Sequence, residues 1–351
     1  MNTLKTYSLE EADNIKIHGR TGKEKNPLTL FWTGSGIECN CKASELWVEI
    51  ESSYSVHEPW ISMYVNGASV SRQMLPKGRY WVCCFRGMNP EQVKTFCLLK
   101  ETQAMQADPD HCLQIHGIRT DGFFLPVNDK KRKIEFIGDS ITSGEGLVGA
   151  REEEDWISMF LSTRQNYAVL TAEALGAEYR ILSQSGWGVY TSWDNNTKYA
   201  MPLYYGQVCG LVEGEKNKGL GAFEPNDFEA WKPELIVINL GTNDGGAFHN
   251  PPHKDELIAF EHAAVSFLKN IRSYNEDAKI LWVYGMLGTV MLPAITSAIS
   301  EYRKESVDEE VYFLELEEAT GTGVGARSHP GAENHKKAAE RILNKINEIT
   351  E

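Results

Sequence analysis

The sequence predicts an α/β protein in two parts, an all-β sandwich or jelly roll over residues 1–125 followed by a flavodoxin-like, doubly wound parallel sheet over residues 126–351. Three observations carry this. Short β-type runs separated by turn residues fill the first third without a long amphipathic stretch, which is the pattern of an antiparallel sandwich. After the polar segment 126–133 the pattern changes to apolar runs alternating with helix-length segments, the signature of βαβ units. A chain of 351 residues is also long for one core, so two domains are favoured.

In the first part the strand-like runs are residues 28–33, 45–51, 60–65, 79–85, 94–100 and 112–118. The turns between them hold Gly34-Ser35-Gly36, Asn66-Gly67, Pro76-Lys77-Gly78 and Asp108-Pro109-Asp110. Their Trp and Tyr side chains serve core packing more readily than sugar binding. The second part offers strands at 133–137, 179–183, 234–240, 279–284 and 311–316, with helices at 164–175, 256–274, 295–306 and 332–349. Ala338, Ala339, Ile342, Leu343 and Ile346 form one apolar stripe on the last helix. Glu152 to Trp156 reads as a solvated acidic loop or helix start. Residues 187–231 form a long irregular passage whose aromatics, Trp187, Tyr190, Trp193, Tyr199, Tyr204, Tyr205 and Phe223, either wall a sugar site or pack against their own domain.

Composition narrows the function. A formal charge of -14 excludes a surface built for nucleic acid or anionic membrane, because both need clustered Lys and Arg. No run approaches the ~20 apolar residues of a spanning helix, and residues 1–13 lack the apolar core of a secretion signal, so a cytoplasmic location is expected. The seven cysteines, odd in number and unevenly placed, suit reduced thiols better than a disulfide framework. Neither Cys39 and Cys41 nor Cys83 and Cys84 has zinc-site spacing. His249 and His253 flank Pro251-Pro252 and so cannot share one regular helical face, which argues against a metal site there.

The chemistry-bearing residues sit in polar turns. Gly138-Asp139-Ser140 ends the apolar run 133–137, residues 183–188 follow the next strand with Gly186 among them, and Gly241-Thr242-Asn243-Asp244 follows the third. Ser328-His329-Pro330-Gly331 opens the last helix. Each lies where open α/β sheets gather ligands, outside the strand carboxyl ends. A serine hydroxyl needs a base to become a nucleophile, and a tetrahedral oxyanion needs converging donors. In this order the four turns resemble the signature blocks of the SGNH (GDSL-type) hydrolase superfamily.

That resemblance implies that Ser140 is the nucleophile, that His329 is its base and later the acid, and that the oxyanion hole is made by the backbone N–H groups of Ser140 and Gly186 with the Asn243 amide. Asp139 and Asp244 are read as holding the motif turns, and Trp187, Trp193 and Asp244 are kept as candidate substrate contacts. One position departs from the family. The aspartate usually found three residues before the histidine is replaced by Ala326, so the imidazole must be oriented by a backbone carbonyl, a water or an acid elsewhere.

A β-rich domain ahead of such a hydrolase resembles carbohydrate esterase family 2, which implies removal of O-acetyl groups from xylan- or mannan-derived oligosaccharides through a covalent acetyl-enzyme, with no cofactor and no metal. The expected partner is an acetylated oligosaccharide, with a homo-oligomer as a further expectation. The alternatives are an esterase, thioesterase or acetyltransferase acting on a non-sugar substrate, and a non-catalytic carbohydrate-binding protein.

Overall fold

A computed structural model describes residues 3–350; Met1, Asn2 and Glu351, the first two within the N-terminal stretch read for a secretion signal, lie outside the described residues. The chain divides into two compact units, residues 1–129 with 207–226, and residues 130–206 with 227–351.

The first unit holds β1 (Lys5–Tyr7), β2 (Lys16–His18), β3 (Leu28–Thr29), β4 (Gly36–Lys42), β5 (Leu46–Ser53), β6 (Trp60–Val65), β7 (Ala68–Met74), β8 (Gly78–Phe85), β9 (Val93–Lys100), β10 (Cys112–Thr120) and β11 (Phe123–Leu125). They form two antiparallel sheets, one in the order β1-β10-β5-β8 with β3 on β10, the other β11-β4-β9-β6-β7 with β2 on β4. One apolar core draws on both, from Val48 and Ile115 in the first to Ile37 and Phe96 in the second. Strand β5 shows why. Leu46, Val48 and Ile50 point inward while Trp47, Glu49 and Glu51 alternate outward, the period-2 pattern of a half-buried strand. Arg119 stacks on the outward rings of Trp47 and Trp81, its guanidinium 5.0 and 4.4 Å from their centroids.

The segment 207–226 belongs to this unit. Trp32, expected within a strand, sits in the turn after β3 and donates its indole N–H to the Val208 carbonyl at 2.8 Å. Arg20 donates to the Gln207 carbonyl at 2.9 Å. The short α1 (Glu215–Gly219) is held by Asn217, whose amide donates to the carbonyls of Glu213 and Pro109.

The second unit is a five-stranded parallel sheet of β12 (Lys133–Gly138), β13 (Glu178–Ser183), β14 (Leu235–Asn239), β15 (Lys279–Tyr284) and β16 (Val311–Glu315). Its order is β13-β12-β14-β15-β16, the flavodoxin-like arrangement. Its helices are α2 (Ser140–Ser143), α3 (Tyr167–Ala174), α4 (Thr242–Ala247), α5 (Lys254–Tyr274), α6 (Leu292–Ser306) and α7 (Ala332–Thr350). Ile134, Phe136, Leu235, Val237, Leu281 and Val283 share a core with α3 and α7, into which the last helix sends Ala338, Ala339, Ile342 and Ile346, while Leu343 of the expected stripe is only half-buried. The opposite face carries α5: Tyr205 donates to the buried Glu135 carboxylate at 2.8 Å, accepts from Asn275 beyond the end of α5, and sets its ring against Phe267. At Tyr205 the aromatic passage is thus part of the core. No helix among the described residues is long and apolar enough to cross a membrane.

Register fixes where the site lies. Gly138 pairs with Ser183 on one side and Asn239 on the other, so the turns after β12, β13 and β14 leave the sheet at one level. Gly138 is required by closeness rather than by an unusual φ. A Cβ there would come within 2.0 Å of the Thr142 hydroxyl and 2.9 Å of the Asn239 carbonyl.

Candidate active site

The turn after β12 is built before its serine is placed. Asp139 caps α2 by accepting the Ile141 N–H at 3.0 Å. Asn166 closes the other end, donating to the carbonyls of Ile141 at 3.1 Å and Thr142 at 2.8 Å, while its oxygen caps α3 through the Ala168 N–H. Ser143 ties the turn to β13 through a 2.9 Å bond to Ser183. Ser140, the first residue of α2, is thereby held on a rigid loop and is 94% buried.

His329 reaches Ser140 from the loop before α7. Its Nε2 lies 2.8 Å from Ser140 Oγ and its Nδ1 2.8 Å from the Arg327 carbonyl oxygen. A carbonyl only accepts, so Nδ1 carries the proton and Nε2 is free to accept from the serine hydroxyl. The position of the absent aspartate is filled by backbone. Presenting that carbonyl requires Arg327 (φ 54°) and Ser328 (φ 54°) to adopt left-handed conformations, each costing about 1–2 kcal/mol for a residue with a Cβ.

The other candidate oxyanion donors lie in the turns that follow β13 and β14, the two strands flanking β12. Gly186 has φ 80°, and a Cβ on it would lie 2.7 Å from Cδ1 of the Trp193 ring. Glycine therefore lets the Trp193 ring pack closely against this turn. The Asn243 side-chain nitrogen, on the first turn of α4, donates to the Trp187 carbonyl at 2.9 Å and reaches Asp139 Oδ2 only at 3.4 Å.

The candidate substrate contacts separate. Trp193 is 67% exposed, with its ring beside Gly186. Trp187 is buried, its ring stacked on Tyr199 at 5.2 Å and against Tyr204 at 5.4 Å, so its carbonyl rather than its indole serves the site. Asp244 is fully buried and accepts the N–H groups of Val189, Tyr190 and Thr191, which makes it the anchor of the turn after β13 and leaves no surface for a sugar.

Burial dominates the electrostatics. It pushes the Asp139 carboxyl up to about 7, helped by Asp244 and Glu145 and opposed by the Ile141 N–H. Asp244 is raised to about 6 by burial, against its three N–H partners. On α7 the buried His335, accepting from the Tyr167 N–H at 3.1 Å, is lowered to about 3 by burial and then by the nearby His329.

Two features escaped the sequence. Glu145, 96% buried after the serine turn, pairs its Oε1 with Arg327 Nε at 2.9 Å and lies 3.7 Å from His329 Nε2. An acid following Ser143-Gly144 was its only trace. Away from this site, His249 and His253 do meet despite the prolines: their rings stack at 3.7 Å, and with Glu256 they bring potential ligand atoms within 4.8 Å of one another. Helical spacing was the wrong test, because His249 lies in the loop ahead of α5. Glu256 also caps that helix, accepting the His253 N–H at 2.7 Å.

With this geometry in view, the likeness to known proteins is specific. Residues 136–310 match the GDSL-like lipase/acylhydrolase family. The solved structure of an acetyl xylan esterase (Est2A) from the rumen bacterium Butyrivibrio proteoclasticus is 39% identical, covers 99% of this chain and 98% of its own, and superposes with a TM-score of 0.95. A family two carbohydrate esterase from Clostridium thermocellum, solved in complex with cellohexaose, is 26% identical over 95% of this chain and 98% of its own, with a TM-score of 0.82. The chain belongs to the SGNH (GDSL-type) hydrolases and to their carbohydrate esterase family 2 branch. The cellulase/esterase CelE of Acetivibrio thermocellus is 28% identical over 351 residues, and this chain spans 40% of its length.

Proposed function

We propose that the protein is a carbohydrate O-acetyl esterase that releases acetyl groups from xylan- or mannan-derived oligosaccharides. The observation that carries this reading is the 2.8 Å contact of Ser140 Oγ with a His329 ring whose other nitrogen is held by a carbonyl, in a chain with a 39% identical acetyl xylan esterase relative.

In the proposed reaction Ser140 Oγ attacks the acetyl carbonyl while its proton passes to His329 Nε2. The tetrahedral oxyanion is received by the N–H groups of Ser140 and Gly186 and by the Asn243 amide. Collapse breaks the bond to the sugar oxygen, which takes the proton from His329 as it leaves as a hydroxyl, and acetyl-Ser140 remains. Water then attacks, giving its proton to Nε2, and the same donors hold the second oxyanion until acetate departs and the proton returns to Ser140. The exposed Trp193 ring is the surface on which a sugar can stack beside the scissile ester.

The test is mass spectrometry of acetylated xylo- and manno-oligosaccharides after incubation, alongside 4-nitrophenyl esters of increasing chain length. Loss of acetyl groups and preference for acetate are expected, and Ser140→Ala should lower turnover by roughly 10³-fold or more. Preference for octanoate, or unchanged turnover by Ser140→Ala, would overturn the reading.

A further inference from the structure

We infer that Glu145 is a positioning residue that, through Arg327, supplies what the absent aspartate would supply: a fixed hydrogen bond to His329 Nδ1 and a negative charge against the imidazolium. The inference rests on the Ser140–His329 reading above. The loop that carries the orienting carbonyl is held on both sides. Arg327 N–H donates to the Glu153 carbonyl at 2.7 Å, Ala326 N–H to the Gly146 carbonyl at 2.9 Å, and Gly325 N–H to the His329 carbonyl at 2.7 Å. These bonds fix the loop ends but not the rotation of the 327–328 peptide, which two successive left-handed residues would relax if released.

The Arg327 side chain resists that relaxation. Its Nε is anchored at 2.9 Å on Glu145, and its Nη1 donates to the Glu154 carbonyl at 3.1 Å. Glu145 is itself immobilised, since its N–H donates to the Ser140 carbonyl at 3.0 Å and its side chain is buried. One carboxylate therefore links the nucleophile's turn to the base's loop.

The same carboxylate oxygen lies 3.7 Å from Nε2, the nitrogen that receives the serine proton. No hydrogen bond spans that distance, but a charge at that range in a water-poor site stabilises the cation that forms. Arg327 shares the loop of His329 and is paired with Glu145, and His335 on α7, whose protonation His329 opposes, stays neutral because burial lowers it to about 3. Among the described residues, Glu145 is the carboxylate within 4 Å of the imidazole.

Glu145→Gln keeps the shape and an acceptor for Arg327 but removes the charge. Its kcat on 4-nitrophenyl acetate should fall about tenfold at unchanged KM, and the acid limb of its pH profile should move to lower pH, because an imidazolium without its counter-charge loses its proton more readily. Arg327→Lys, at a partly exposed position, should lower kcat in the same direction with no change in thermal midpoint, which keeps the test decisive if Glu145→Gln folds poorly. Wild-type kcat and an unmoved acid limb in a folded Glu145→Gln, or wild-type kcat in Arg327→Lys, would overturn the inference. Ser140→Ala assayed in parallel separates the two levels. If it stays active, the underlying reading fails; if it is dead while Glu145→Gln is normal, only the role of Glu145 fails.

Discussion

Asn243 has two amide protons and, within the resting site, one good acceptor. The 2.9 Å bond to the Trp187 carbonyl orients the group, while the second proton finds only the 3.4 Å contact to Asp139. A long bond is the one most cheaply exchanged for a developing oxyanion. Asn243→Ala should therefore lower kcat by about 10²–10³-fold with a small effect on KM, as single-turnover and steady-state assays on an acetate ester would show. Asn243→Asp should be at least as damaging, since it replaces a donor by a charge facing the oxyanion. At this scale the turns that hold Ser140, Gly186 and Asn243 were legible because each follows a recognisable apolar run, and the His329 turn because it opens the last helix. The Arg327 carbonyl was not, because a backbone group leaves no mark on residue type, and Glu145 is near His329 only in the folded chain. Trp187 was misassigned for a related reason: sequence does not distinguish a loop aromatic that faces solvent from one that Tyr199 and Tyr204 enclose.

Helix α7 shows how an element can carry both stability and the site. Its N-terminal end follows directly on the His329 loop, and its first turn buries His335 against Tyr167, stacked at 5.9 Å. The folded state keeps His335 neutral down to about pH 3, whereas the unfolded chain protonates it near 6.5. Its contribution is therefore complete above pH 6.5 and is lost as pH falls from 6.5 toward 3, at up to ~1.4 kcal/mol per pH unit. Urea midpoints measured from pH 7 to pH 4 should fall less steeply for His335→Gln than for the unmodified chain; parallel slopes would exclude this. The long helices α5, α6 and α7 were legible through their 3.6-residue apolar period, and the parallel strands through continuous apolar runs. Strands β4 and β7 were not. The first begins at a glycine taken for a turn and mixes Cys with Asn, Glu and Lys, and the second is a largely exposed edge rich in Ser, Arg and Gln that needs no apolar face.

The chain passes between its two units three times, after residue 129, before 207 and after 226. The first passage is marked by the polar stretch 126–133, where a sequence reader would cut. The other two lie inside an irregular passage of even composition, and 207–226 joins the first unit through contacts that only tertiary structure defines, the bonds from Trp32, Arg20 and Asn217 among them. Val208, Cys209, Leu211, Val212 and Ala222 are all buried at 5% exposure or less. Full burial of a valine or leucine is worth about 1.5–3 kcal/mol, so a fragment of residues 126–351, which keeps this segment but removes β1–β11, would expose several such side chains at once. That fragment should be cut by trypsin or chymotrypsin within 207–226 and should unfold at a lower temperature than the intact chain, in which the same bonds should resist digestion. A fragment that protects 207–226 as well as the full chain does would mean that the segment draws its order from the parallel-sheet unit, contrary to the hydrogen bonds that tie it to the antiparallel one.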